Sequence, residues 1–151
     1  MDLKEYIRSI PDYPKKGILF RDITTLIKNE TAFEESINQI VERSKKFKID
    51  KIAAIESRGF VFASAVSYIL KKPFIMLRKK NKLPADVHSV DFELEYGTAT
   101  IEVHKDSISE NDSVLIIDDL IATGGTAEAA AKLVEISKGN IAAFILSLIH
   151  I

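Results

Sequence analysis

The sequence contains no cysteine and no tryptophan. Without cysteine the chain cannot form disulfides, bind zinc through thiolates or use a thiol nucleophile. It also lacks any apolar run that approaches the roughly 20 residues needed by a membrane-spanning helix. The first residues, Met1 to Glu5, are too polar for a signal peptide. We therefore expect a cytoplasmic protein that does not enter a membrane.

The chain also lacks a net charge of the size that marks a nucleic-acid-binding domain. Its 21 basic and 22 acidic side chains leave a formal charge of -1, whereas such domains are usually clearly basic. Basic side chains nevertheless crowd residues 71–82, and acidic ones dominate residues 86–119. Two solvated surfaces of opposite sign would explain this distribution. A substrate that combines phosphate with hydroxyls or magnesium would explain it equally well.

We expect a single domain over residues 1–151, because this length suits one domain and no linker or repeat divides the chain. Alternating residues over 98–104 predict a half-exposed strand. The other predicted strands are apolar runs, at 51–55, 74–77, 114–117 and 141–149, and the predicted internal helices cover 60–70 and 126–137. Strands that alternate with helices indicate an α/β domain with a mainly parallel sheet.

Three further segments complete the local predictions. Residues 2–10 predict a short helix, and the proline- and glycine-containing residues 11–17 predict a loop. The capping-box spacing from Thr31 to Glu34 predicts a helix start, with helical periodicity extending to Phe47. Residues 79–92 show no periodicity and predict a long loop, which in a compact domain is usually functional or mobile.

The segment from Val114 to Thr126 carries the clearest chemical signal. A buried strand ends in Asp118 and Asp119 and is followed, after a short apolar spacer, by Thr-Gly-Gly-Thr. Ligands of open α/β sheets bind beyond the carboxyl ends of the strands, and a helix N-terminus suits a phosphate. The segment matches neither the dinucleotide fingerprint nor the triphosphate-binding loop. Neighbouring carboxylates point to opposite sides of a strand end, which favours binding of vicinal hydroxyls over joint coordination of one metal.

This segment resembles the phosphoribosyl-diphosphate-binding motif of type I phosphoribosyltransferases. Residues 17–24, 56–60, 78–84 and 94–97 resemble, in the same order, signatures of the family members that act on adenine. The resemblance covers essentially the whole chain. It implies the type I phosphoribosyltransferase fold, a mainly parallel twisted sheet flanked by helices. It also implies a small N-terminal hood and a flexible loop over residues 83–96.

The implied activity is transfer of the 5-phosphoribosyl group from phosphoribosyl diphosphate to adenine, giving AMP and diphosphate in purine salvage. The resemblance also implies a Mg²⁺ cofactor, held mainly by substrate oxygens and water, and a homodimer. Three alternatives remain. The same fold can act on another base, such as hypoxanthine, guanine, xanthine or orotate. A regulator can bind phosphoribosyl diphosphate without catalysis, or the chain can be an inactive binding protein.

The resemblance also implies roles for individual residues. Glu95 is the expected catalytic residue, which transfers a proton at the purine ring nitrogen, and Tyr96 helps the loop to close. The ribose hydroxyls are expected at Asp118 and Asp119, and the 5'-phosphate at Ala122, Thr123, Gly124, Gly125 and Thr126. The residues expected around the diphosphate are Glu56, Ser57, Arg58, Arg78 and Lys82, of which Arg78 and Lys82 act partly across a dimer interface. Adenine is expected against Leu19, Phe20, Arg21 and Ile151.

The final residues depart from the family pattern. His150 stands where a glutamate is common, and Ile151 stands where an apolar contact to the base is expected. The family usually continues further with an acidic segment that contains leucine and glycine. Two interpretations stay open: the sequence is truncated, or the base pocket is open on this side.

Overall fold

Strands and helices alternate along most of the chain. The structure is a computed structural model that describes residues 1–94, 97–118 and 124–145. A 3-10 helix covers Leu3–Tyr6. The strands are β1 (Arg8–Ile10), β2 (Phe20–Asp22), β3 (Lys51–Ile55), β4 (Phe74–Lys79), β5 (Val87–Leu94), β6 (Gly97–His104), β7 (Ser113–Ile117) and β8 (Asn140–Ile145). The helices are α1 (Thr24–Ile27), α2 (Glu30–Ser44), α3 (Arg58–Leu70) and α4 (Gly124–Ile136).

A central sheet has the strand order β5-β6-β4-β3-β7-β8. Strands β4, β3, β7 and β8 run parallel to one another, whereas β5 and β6 form an antiparallel hairpin whose strand β6 pairs antiparallel with β4. The parallel strands are connected through helices, as parallel pairing requires. The four predicted strands in this part of the sheet are confirmed. For the last of them the description ends at Ile145.

Strand β3 shows why the central strands are apolar throughout. Ile52 and Ala54 pack into one core with α2 and α3, whereas Ala53 and Ile55 pack into a second core with α4. Because helices cover both faces of the sheet, residues that point to either face are buried, and the strand is apolar at consecutive positions. A buried isoleucine stabilises the fold by about 1.5–3 kcal/mol. The predicted fold class, an α/β domain with a mainly parallel sheet flanked by helices, is confirmed.

The N-terminal segment forms a small unit of its own, which corresponds to the expected hood. Strands β1 and β2 make a two-stranded antiparallel sheet separate from the central one. Its Asp22 side chain accepts hydrogen bonds from Thr24 and from the Arg8 guanidinium. The prediction of one helix over residues 2–10 is wrong beyond Tyr6, because pairing with β2 draws residues 8–10 into a strand.

Helix α2 begins two residues before the predicted position. Its N-cap is Asn29, whose Oδ1 accepts a hydrogen bond of 2.9 Å from Ala32 N, so the predicted cap at Thr31 is wrong. Helices start readily after asparagine for this reason. The predicted periodicity holds for Ile37, Ile40 and Val41, which are buried. It fails for Phe47, which follows the helix and is exposed.

The prediction of a loop over residues 79–92 is wrong for its second half. Residues Val87–Leu94 form β5 and pair along their whole length with β6. In β5 only Val90 is buried, so the strand has little apolar alternation and its sequence gives a weak signal. The hairpin is specified mainly by backbone pairing with β6. None of the helices in the described ranges is long and apolar enough to cross a membrane.

Candidate active site

The predicted site segments meet at the carboxyl ends of the parallel strands. In the register of the sheet, Ile55 of β3 lies beside Leu77 of β4, and Ala54 lies beside Ile117 of β7. The residues that follow these positions therefore emerge at one edge of the sheet. They include the turn after β3, the end of β4 and Asp118. This is the edge at which ligands bind in open α/β sheets.

Gly59 brings the turn after β3 into contact with the end of β7. A Cβ atom at this position would lie 3.1 Å from the carbonyl oxygen of Ile117 and 3.2 Å from Asp118 Oδ1. Both distances are shorter than ordinary van der Waals contact. Glycine therefore permits the first turn of α3 to pack on the strand end that carries the first carboxylate of the pair. Sequence reasoning gave Gly59 no role, although a glycine in the first turn of an apolar helix was a signal for such a contact.

The turn itself combines several features of an anion site. Ser57 is the N-cap of α3, and its side chain makes no capping hydrogen bond. Ser57 and Arg58 are both exposed. Backbone N–H groups at the start of a helix attract anions when no side chain caps them. The predicted position of Ser57 and Arg58 at a helix start is confirmed, while their contact with diphosphate stays a prediction.

Glu56 is the most heavily engaged residue of the turn. Its Oε1 accepts a hydrogen bond of 2.6 Å from Lys79 N and lies 3.4 Å from Arg78 Nε, and its Oε2 accepts one of 3.2 Å from Lys82 Nζ. Only 7% of its side chain is exposed. Burial alone would raise the pKa of Glu56, but these hydrogen bonds and cations lower the pKa below its ordinary value. The carboxylate is thus ionised and directed at cations of its own chain.

The hood lies over the same turn. The Arg58 guanidinium carbon is 5.9 Å from the centre of the Phe20 ring, and the Tyr13 ring meets Phe20 edge-on with centroids 5.1 Å apart. Phe20 is half-buried and Leu19 is exposed. The Arg21 guanidinium donates a hydrogen bond to Ser9 Oγ in the neighbouring strand β1. The structure therefore brings Phe20, expected at the base, next to Arg58, expected at the diphosphate.

A second buried carboxylate contacts the turn that follows β4, at residues 80–82. Glu102 of β6 accepts hydrogen bonds from Asn81 N at 2.9 Å and from Ser89 Oγ at 2.5 Å. The hydrogen bond from Ser89, and to a smaller extent the one from Asn81, lowers the pKa of Glu102 below its ordinary value. Glu102 is buried although it belongs to the strand predicted as half-exposed over residues 98–104, because these donors satisfy its charge inside the protein. Glu102 thus ties the hairpin to the turn that carries Lys82.

Helix α4 starts where the phosphate-binding motif ends. Gly124, Gly125 and Thr126 form its first turn, six residues after Asp118. Gly125 lines a cleft of about 300 Å³ together with Asp91, Phe92 and Glu93 of β5. The helix start is therefore open towards the hairpin. Six predicted site residues lie outside the described residues: Glu95, Tyr96, Asp119, Ala122, Thr123 and Ile151.

These observations define the class of protein, and the comparisons agree with them. The family model of the phosphoribosyl transferase domain matches residues 23–148. An adenine phosphoribosyltransferase of Pelagibacter ubique is 84% identical over 148 residues, which make up 98% of this chain and 85% of that protein. The chain therefore belongs to the adenine phosphoribosyltransferase family.

Solved structures show the same similarity in three dimensions. The adenine phosphoribosyltransferase of Thermoanaerobacter pseudethanolicus superimposes with a TM-score of 0.92 at 48% identity, covering 95% of this chain and 84% of that one. The Saccharomyces cerevisiae enzyme, solved with adenine and an imino-altritol bisphosphate, gives a TM-score of 0.89 at 36% identity. That match covers 97% of this chain and 86% of the yeast chain. The type I phosphoribosyltransferase fold expected from the motifs is confirmed.

Proposed function

We propose that the chain catalyses transfer of the 5-phosphoribosyl group from phosphoribosyl diphosphate to adenine, with AMP and diphosphate as products. The observation that carries this proposal is the meeting of the hood, the anion-binding turn and Asp118 at one sheet edge. The 84% identity to a relative of that name supports the choice of adenine as the base.

The reaction exchanges one bond at C1' of the ribose. The bond from C1' to the diphosphate oxygen breaks, and its electron pair leaves with diphosphate. N9 of adenine forms the new bond to C1' and gives up its proton. Charge therefore develops on the leaving group, where Arg58, Arg78 and Lys82 are placed to stabilise it.

The ribose and its 5'-phosphate are assigned to the segment between β7 and α4. Asp118, and Asp119 by its match to the motif, accept hydrogen bonds from the 2'- and 3'-hydroxyls. The 5'-phosphate meets the N-terminus of α4, where unpaired N–H groups and the helix dipole favour an anion. Gly124, Gly125 and Thr126 lie in that turn, and the motif adds Ala122 and Thr123.

Adenine is assigned to the hood. We place its ring against Phe20, with backbone groups near Leu19 and Arg21 reading its 6-amino edge. A 6-amino purine needs an acceptor opposite N6 and a donor opposite N1, the reverse of a 6-oxo purine. Ile151 is assigned to the same pocket by its position in the motif.

We assign the proton transfer to Glu95 and loop closure to Tyr96. These residues connect β5 to β6 in the sequence, so they belong to the hairpin whose strand β5 lines the cleft at Gly125. Movement of this hairpin towards the cleft would exclude water from the activated ribose and suppress hydrolysis. The hairpin takes the role that the motif resemblance gave to a flexible loop.

Magnesium fits the donors at this edge as a partly hydrated ion. The Glu56 carboxylate is directed at Arg78 and Lys82, and Asp118 directly follows β7 at the same sheet edge. No group of three or more Asp, Glu or His side chains within residues 1–94, 97–118 and 124–145 could hold a metal. We therefore propose that substrate oxygens and water hold Mg²⁺, as this ion accepts readily. Bound there, it would neutralise charge on the diphosphate.

We further propose a cytoplasmic homodimer. Helix α3 exposes Val61, Tyr68 and Ile69, and Tyr68 is 86% exposed. Met76 of β4, which follows α3 in the chain, is also exposed. Large apolar side chains are seldom exposed together without a partner surface. A second copy of the chain that packs on α3 would bring its own Arg78 and Lys82 near the interface between the two chains.

The test is an assay of the purified chain with adenine, phosphoribosyl diphosphate and magnesium, with AMP measured by chromatography. Parallel reactions contain hypoxanthine, guanine, xanthine or orotate. We expect AMP formation and much slower turnover of the other bases. Efficient use of hypoxanthine without turnover of adenine would assign the fold to another base. Binding of phosphoribosyl diphosphate without turnover of any base would indicate a regulator.

A further inference from the structure

We propose that Glu56 is a positioning residue, which holds Arg78 and Lys82 in the orientation that binds diphosphate and does not itself contact the ligand. The inference rests on the proposed function and changes the role of one residue in it. Three groups converge on this carboxylate: the N–H of Lys79, the guanidinium of Arg78 and the ammonium of Lys82.

Charge argues against direct contact between Glu56 and diphosphate. A carboxylate beside a polyanion is repelled unless cations lie between them. Glu56 is 7% exposed, whereas the side chains of Arg78 and Lys82 are 31% and 48% exposed. The cations thus lie on the solvent side and the carboxylate behind them. The trio keeps a net charge of about +1 towards the ligand.

Geometry argues that the carboxylate orients both cations. Lysine and arginine side chains lose considerable rotamer freedom when they are fixed. In this structure Glu56 accepts a hydrogen bond from Lys82 and forms an ion pair with Arg78 Nε at 3.4 Å before the ligand arrives, and the Lys79 N–H bond fixes the carboxylate in turn. Each cation contacts Glu56 through one nitrogen, which for Lys82 Nζ leaves other N–H donors to bind phosphate oxygens. A preorganised set of cations binds more tightly because less ordering remains to be done on binding.

The test compares Glu56→Gln with Asp112→Asn. Asp112 is a matched control, because it too is a nearly buried carboxylate that pairs with a lysine, Lys51, at 2.7 Å. Desolvation alone would raise the pKa of Asp112, but its bonds to Lys51 and Ser109 lower the pKa below its ordinary value. Lys51 begins β3, so this pair lies at the opposite end of the strand from Glu56. Binding of magnesium diphosphate is measured by calorimetry, and KM and kcat are measured for both substrates.

We expect Glu56→Gln to weaken diphosphate binding and to raise KM for phosphoribosyl diphosphate about tenfold, the factor that matches loss of one hydrogen bond to a charged group. The KM for adenine should stay within about twofold. Asp112→Asn should leave both constants unchanged. Equal or tighter diphosphate binding by Glu56→Gln would overturn the proposal, since simple removal of a repelling charge gives that result.

A double-mutant cycle keeps the proposal testable if Glu56→Gln is poorly stable. If Glu56 acts through Lys82, removing Glu56 in a Lys82→Gln background should cost less in diphosphate affinity than it does in the unmodified chain. Full additivity of the two changes would contradict the proposal. The calorimetry does not require turnover. If the chain forms AMP but Glu56→Gln binds diphosphate as the unmodified chain does, the positioning role alone is refuted. If Glu56→Gln weakens diphosphate binding but the chain forms no AMP, the proposed reaction alone is refuted.

Discussion

Asp118 lies directly against the backbone of Gly59, at a distance shorter than ordinary van der Waals contact for an added side chain. A Cβ at position 59 would sit 3.2 Å from Asp118 Oδ1. This contact joins the turn assigned to the diphosphate to the strand end assigned to the ribose. The two halves of the proposed phosphoribosyl diphosphate site are thus kept in register by packing of one helix start on one strand end.

We expect Gly59→Ala to impair the enzyme much more than it destabilises the fold. The new methyl group must shift the Asp118 carboxylate or the first turn of α3 by a few tenths of an ångström, and misplacement of binding groups by about 1 Å can cost roughly 100-fold in rate. Steady-state kinetics should show kcat/KM for phosphoribosyl diphosphate lowered about tenfold. Ser64→Ala, at an exposed position of the same helix, is the control and should behave as the unmodified chain. Unchanged kinetics for Gly59→Ala would show that the contact relaxes without consequence.

Phe20→Ala should raise the KM for adenine more than the KM for phosphoribosyl diphosphate. Stacking of a base on an aromatic ring contributes about 1–3 kcal/mol, so we expect an increase of about tenfold or more. A smaller effect on the second substrate should follow from loss of the contact between Phe20 and Arg58. Phe47→Ala is a control at an exposed phenylalanine outside the site. Equal changes in the two KM values would place Phe20 outside the base pocket.

The hood should lose stability only in strong acid. Hydrogen bonds from the Thr24 side chain, then from Arg8 and the Thr24 backbone, lower the pKa of Asp22 to about 2. Since the folded value lies below the ordinary value near 4, the stabilisation is complete above pH 4 and is lost as the pH falls towards 2. Hydrogen exchange of β1 and β2 measured from pH 5 to pH 2 should show this loss. The same dependence in Asp22→Asn would exclude Asp22 as its source.

Glu102→Gln should loosen the hairpin while β3 stays protected. The amide keeps an acceptor for Asn81 N but loses the charge that strengthens both hydrogen bonds, so we expect a local cost of about 1 kcal/mol. Hydrogen exchange of residues 87–94 reports this opening directly. Asp91→Asn removes the charge of an exposed carboxylate in the same hairpin, which accepts a bond from Thr100, and should change exchange much less. Equal effects of both variants would contradict a special role for Glu102.

Much of the central sheet could be predicted from the sequence because its strands are covered on both faces. Strand β3 was predicted with its exact bounds, since burial of each residue leaves an uninterrupted apolar run. Strand β5 was missed, because a hairpin strand with one buried residue is held by backbone hydrogen bonds that every sequence can make. The N-terminal helix was mispredicted for a related reason: residues 8–10 pair with β2, ten to fourteen positions further along the chain.

The basic side chains of residues 71–82 are close in the sequence but lie apart in the structure. Lys71 and Lys72 precede β4, whereas Lys80 and Lys82 follow it. A strand of six residues spans about 20 Å, so the stretch divides into two groups at opposite edges of the sheet. The group at the carboxyl end alone lies at the candidate site.

The sequence by itself determined the family and predicted the chemistry of the strand-end motif and the residue types proposed to meet the substrate, because these depend on local order along the chain. The tertiary structure decided which groups touch. The contact of Gly59 with Asp118, the placement of Arg58 over the Phe20 ring and the convergence of one backbone N–H and two cations on Glu56 each join residues from separate elements. Such contacts depend on how strands and helices pack, and the order of residues along the chain does not specify the distances between packed elements.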